Sequence, residues 1–127
     1  MADRAAGICE YCRCPESYSS SKFSIEHIVP RSKNGDDSID NLALACQGCN
    51  NIKATKTHGV DPETMLTVPL FNPRIYIWED HFFWESSLIK LAGITAIGRA
   101  TIDAIRLNRT EVQNLRNLLF LIGEHPR

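Results

Sequence analysis

The sequence lacks every mark of a secreted or membrane-bound chain. No apolar run approaches the roughly 20 residues needed to cross a bilayer. The start, Met1-Ala-Asp-Arg-Ala5, has none of the apolar stretch of a signal peptide. No internal repeat is visible. Nor does one charge dominate: 14 Lys and Arg stand against 15 Asp and Glu, a net charge of −1. A global basic field is thereby excluded, and any affinity for nucleic acid must come from local clusters. What remains is ordinary: 43% apolar and 23% charged residues, enough for one modest core and too apolar for a disordered chain. A length of 127 residues fits one domain with an extension. The expected location is cytoplasmic, with no membrane partner and with reduced thiols.

Against that background the five cysteines stand out. Four fall in two Cys-x-x-Cys pairs, Cys9/Cys12 and Cys46/Cys49, with 33 residues between them. Each pair lets one turn aim two sulfurs at one ion, and two pairs complete a tetrahedron. All four positions being cysteine, none is left for water or substrate. The expected ion is a structural zinc that supplies folding free energy. Cys14 is outside the spacing and reads as a free or buried thiol.

Between the pairs, Phe23, Ile25, Ile28 and Val29 give strand character that Pro30 stops. Residues 31–40, with Asn34-Gly35 and three aspartates, read as a loop. Residues 41–45 read as a second strand, and a short helix is expected from Asn50 to about Thr57. Residues 59–73 carry three prolines and read as a connector, with one helical turn opened by Asp61-Pro62. Residues 74–91 read as one or two aromatic strands. Two helices follow, the first from about Thr95 to Leu107. The second is opened by a capping box, Asn108-x-x-Glu111, and carries a buried stripe of Val112, Leu115, Leu119 and Ile122.

The string Glu26-His27-Ile-Val-Pro30, then Asp40-Asn41-Leu42, then Cys46-Gln-Gly-Cys49-Asn50-Asn51-x-Lys53 resembles the HNH endonucleases. His27 to Asn41 is 14 residues and Asn41 to Asn50 is 9, as that family prefers. The resemblance implies an α+β fold: a zinc-stabilised ββα-metal (His-Me finger) core over residues 1–58. Residues 59–127 would be a C-terminal extension, one aromatic strand plus two helices, packed on that core. It implies a metal-dependent endonuclease that hydrolyses DNA phosphodiester bonds. His27 would be the general base. Asn41 would fix the loop and the imidazole. Glu26 and Asn50 would hold a single Mg²⁺ or Mn²⁺. An ordinary histidine pKa of about 6.5 leaves a neutral proton acceptor at cellular pH, and carboxylate and carboxamide oxygens suit a hard ion. One physical difficulty stands against the set. Neighbouring residues on a strand face opposite ways, so Glu26 and His27 share a site only if the strand bends or ends there.

Outside the motif, Arg31, Lys33 and Lys53 are candidate nucleic-acid contacts. His58 and His81 are weaker candidates for a polar role. Trp78-Glu-Asp-His81-Phe-Phe-Trp84 reads as core rather than a base-stacking platform. Arg99, Asp103 and Arg106 read as a surface ion-pair ladder, or with Arg109 and Arg116 as a track for the DNA backbone. The alternative to an enzyme is a non-catalytic zinc module that only binds nucleic acid.

Overall fold

A computed structural model describes residues 5–126; Met1–Arg4 and Arg127 lie outside them. Among the described residues, six strands form three two-stranded antiparallel sheets. The strands are β1 (Ser24–His27), β2 (Leu42–Ala45), β3 (His58–Val60), β4 (Thr67–Pro69), β5 (Phe82–Trp84) and β6 (Leu91–Gly93). The helices are α1 (Gln47–Lys53), α2 (Trp78–His81), α3 (Ala96–Ile105) and α4 (Thr110–Leu121). With β1–β2 followed directly by α1, the first half has the expected ββα order, and the chain is α+β.

The β1–β2 register sets Glu26 opposite Ala43 and His27 opposite Leu42. Ile25 is 56% exposed while Glu26 is buried, so β1 alternates faces. The strand ends at His27. Two 3₁₀ turns, Arg31–Lys33 and Ile39–Asn41, shape the loop that follows. Asn34 adopts a left-handed φ of 67°. At Gly35 a Cβ would lie 1.7 Å from the Val29 carbonyl oxygen, so only glycine fits where the loop folds back.

The second half departs from expectation in four places. Residues 59–73 are not a plain connector, because β3 and β4 pair there as a hairpin. Asp61 builds its turn, accepting from Glu63 N (3.0 Å) and Thr64 Oγ1 (2.8 Å). The aromatic segment opens as a helical turn, α2, before β5, since Trp78 and Phe82 then stack at 5.2 Å on the core side. Asn108 does not cap α4. Its carboxamide binds the Leu91 amide (2.8 Å) and carbonyl (2.9 Å) as a strand would, and Arg109 stands at the N-cap without a side-chain capping bond. On α4, Val112 and Leu119 are buried and Leu115 packs on the core, but Ile122 is 61% exposed past the helix end.

One buried cluster joins Cys9, Tyr11, Cys12, Ala43 and Ala45 to Phe71, Phe82, Leu91, Ile105 and Leu107. Arg116 stitches the same halves. Fully buried, it donates to the carbonyls of Cys12 (3.2 Å), Leu107 (2.8 Å) and Ile89 (2.9 Å), and its guanidinium lies 5.0 Å from the Trp84 ring. A side chain committed this way cannot track DNA.

Candidate metal centre and active site

The two knuckles meet. The sulfurs of Cys9, Cys12, Cys46 and Cys49 all lie within 4.8 Å of one another. Cys12 and Cys46 are 3.8 Å apart. Four thiolates about 2.3 Å from one tetrahedral ion have that spacing, so the donor set is compatible with structural zinc. Local structure explains the convergence. Cys46 is the N-cap of α1 and its sulfur accepts from Cys49 N at 3.4 Å, which brings both sulfurs to one helix end. Cys9 N bonds the Cys14 carbonyl at 2.9 Å and closes the other turn. Cys14 is buried beside the cluster and outside it.

Sequence reading missed the outer layer of this centre. Arg109, 7% exposed, donates to Cys49 Sγ (3.5 Å from both Nη atoms) and to Cys46 Sγ (3.6 Å). Gly48 makes room, since a Cβ there would fall 2.6 Å from Arg109 Nη2. Four thiolates on a divalent ion leave two negative charges, and a buried guanidinium offsets one of them. Arg109 is therefore part of the metal centre rather than a DNA contact.

The faces of β1 carry different chemistry. Glu26 points inward and is 5% exposed. Its Oε2 lies 3.1 Å from Lys53 Nζ, and Tyr11 Oη donates to its Oε1. Burial raises the Glu26 pKa, and the Lys53 charge and the Tyr11 hydrogen bond draw it back. Lys53, at 1% exposure, also donates to the Ile28 carbonyl at 3.0 Å. Lys53 is thus not a surface phosphate contact. Asn50 lies one turn before it on the same face of α1. Glu26 and Asn50 offer the hard oxygens a divalent ion prefers, and Glu26 already carries a cation in the form of the Lys53 ammonium.

His27 points the other way, to solvent. Its Nε2 lies 2.8 Å from Asp37 Oδ1. The same oxygen accepts from Arg31 Nε (3.1 Å) and Nη2 (2.9 Å). The His27 hydrogen bond, and then Arg31, hold Asp37 below the ordinary carboxylate pKa. Asn41 does fix the loop: its carboxamide binds Val29 N (2.9 Å), Val29 O (2.9 Å) and Asp36 O (2.8 Å). The imidazole, however, is held by Asp37, which sequence reading passed over as one of three loop aspartates. Lys33 is exposed on the same loop.

The remaining candidates have other partners. Arg99 bonds Asp61 (2.9 and 3.0 Å) and lies 3.2 Å from Glu63, so no ladder runs along α3 to Asp103. His81 Nδ1 pairs with Thr95 Oγ1 (2.6 Å), the N-cap of α3, and His58 Nδ1 with Thr57 Oγ1 (2.9 Å). Trp78 and Trp84 pack on the buried cluster, as expected of core.

Residues 9–56 match the family model for the HNH endonuclease. The Septu protein PtuB of Bacillus thuringiensis is 27% identical over 105 residues, covering 81% of this chain and 37% of that protein. The chain thus spans little more than a third of that relative's length. No solved structure matches. Residues 9–56 are thus similar to the HNH endonuclease domain, and the four cysteines within that stretch are placed to bind a metal ion.

Proposed function

We propose that this chain hydrolyses phosphodiester bonds in DNA, with His27 as general base. The observation that carries the reading is the Asp37–His27 pair inside the HNH segment. A carboxylate accepts only, so neutral His27 donates its Nε2 hydrogen to Asp37 and keeps the Nδ1 lone pair for a proton. Water attacks phosphorus, its proton passes to Nδ1, and the bond to the 3′-oxygen breaks, the departing oxygen taking a proton from solvent. The products are 3′-hydroxyl and 5′-phosphate ends. Asp37 sets the tautomer, Arg31 holds Asp37, and Asn41 with Gly35 sets the loop that carries both. Arg31 and Lys33 supply local positive charge for the backbone.

Glu26 and Asn50 are the residues that would hold Mg²⁺ or Mn²⁺, which when bound stabilises charge on the phosphorane and the leaving oxygen. Because Glu26 and His27 face opposite ways, the reading requires the phosphodiester to cross the end of β1, where the strand stops at His27. Zinc at the four cysteines braces the scaffold and takes no part in the reaction.

That division of faces also favours a second reading, a zinc module that binds nucleic acid without cutting it. Incubating supercoiled plasmid with the zinc-loaded protein separates the two. The nuclease reading expects nicked or linear DNA with Mg²⁺ or Mn²⁺, none with chelator, and none with His27→Ala. A gel shift without any nick, in either metal, selects the second reading.

A further inference from the structure

A lysine ammonium at 1% exposure is costly unless paired, and Lys53 is paired on two sides. Its Nζ lies between Glu26 Oε2 (3.1 Å) and the Ile28 carbonyl oxygen (3.0 Å). Both are hard oxygen donors, the kind a divalent cation takes. Asn50 stands one turn earlier on the same face of α1. The ammonium therefore stands where an ion held by Glu26 would stand. Glu26 cannot serve both, because its Oε1 already accepts from Tyr11.

We propose that Lys53 is a built-in competitor for the Glu26 cation site, so that a divalent ion enters only by displacing its ammonium. The proposal rests on the reading that Glu26 and Asn50 hold that ion. An open cavity of about 320 Å³, lined by Lys53, Ile28, Val29, His58, Asn72 and Tyr76, opens on the Lys53 side and gives the displaced side chain room. Two consequences follow. Without metal, Lys53 neutralises a carboxylate that would otherwise be buried unpaired, so the fold does not depend on the ion. With metal, apparent affinity falls by the fraction of molecules in which Lys53 has left Glu26.

The test measures Mn²⁺ binding to the zinc-loaded full chain by electron paramagnetic resonance. Wild type, Lys53→Met and Glu26→Gln are compared. Lys53→Met should bind Mn²⁺ at least about tenfold more tightly than wild type. With zinc retained and no other divalent ion added, it should also melt lower than wild type, and it should recover more on adding Mn²⁺. Equal or weaker Mn²⁺ binding by folded Lys53→Met overturns the proposal while leaving the metal reading intact. Undiminished binding by Glu26→Gln instead removes that reading, and the proposal with it.

Should Lys53→Met not fold, wild type answers alone. Amine acylation of the zinc-loaded chain, read by mass spectrometry, should spare Lys53 without added Mg²⁺ and modify it at saturating Mg²⁺. Protection that Mg²⁺ leaves unchanged overturns the proposal.

Discussion

Asp37 Oδ1 lies 2.8 Å from His27 Nε2 and accepts from Arg31 as well, so one loop oxygen governs the imidazole. Removing it should leave the fold and loosen the tautomer. Asp37→Ala is expected to cut slower by about tenfold, against a loss of about 10²–10⁴ for His27→Ala. Nitrogen-15 NMR of neutral His27 should show Nε2–H in wild type and a mixture of tautomers in Asp37→Ala. An unchanged tautomer would mean that Asp37 does not orient the base.

The loop itself depends on two small residues. Asn41→Ala loses three hydrogen bonds and should cost about 1–3 kcal/mol, measured by denaturant unfolding. Gly35→Ala must push a Cβ away from the Val29 carbonyl and should depress cleavage more than it depresses stability. Cleavage at the wild-type rate by Gly35→Ala would uncouple loop shape from the reaction.

For the metal centre, one zinc per chain is expected by elemental analysis. The four cysteines sit inside or against the single buried cluster. Stripping the ion should therefore abolish the cooperative thermal transition. Arg109→Gln should retain the stoichiometry yet lose zinc to a chromogenic chelator about tenfold faster. The same loss rate in both proteins would reduce Arg109 to packing.

Much of the first half was legible because metal spacing and turn chemistry are local. Cys-x-x-Cys twice and Asn34-Gly35 as a turn each act within a few residues, although β1 ends at His27 rather than running on to Pro30. The cost of placing Glu26 beside His27 was legible too, from strand alternation alone. What escaped was long-range. Asp37 resembles Asp36 and Asp40 until the loop closes. Lys53 looks like a solvated helix residue until α1 lies on β1. Arg109 and Arg116 look like surface charge until α4 carries them onto the knuckles, and Arg99 finds Asp61 across 38 residues rather than Asp103 one turn away. The β3–β4 hairpin escaped because prolines hid three-residue strands.

Asp61 makes a pH prediction. The Arg99 hydrogen bond holds its pKa well below 3.8, with Glu63 N and Thr64 adding to the effect. A carboxylate with a lowered folded pKa adds stability above its unfolded pKa and loses it as pH falls through the folded one. The melting temperature should therefore fall as pH drops below about 4. Asp61→Asn should melt lower at neutral pH and show a shallower acid slope. An acid slope equal to wild type would place the sensitivity elsewhere.

In the proposed reaction the His27 ring takes the proton from the attacking water. Chemical rescue reads this most directly, using a labelled DNA duplex, saturating Mn²⁺ and the His27→Ala protein with and without added imidazole. Imidazole is expected to restore cleavage in His27→Ala in a concentration-dependent way, to leave wild type unaffected, and to yield 5′-phosphate ends. Cleavage by His27→Ala at the wild-type rate without imidazole would contradict it.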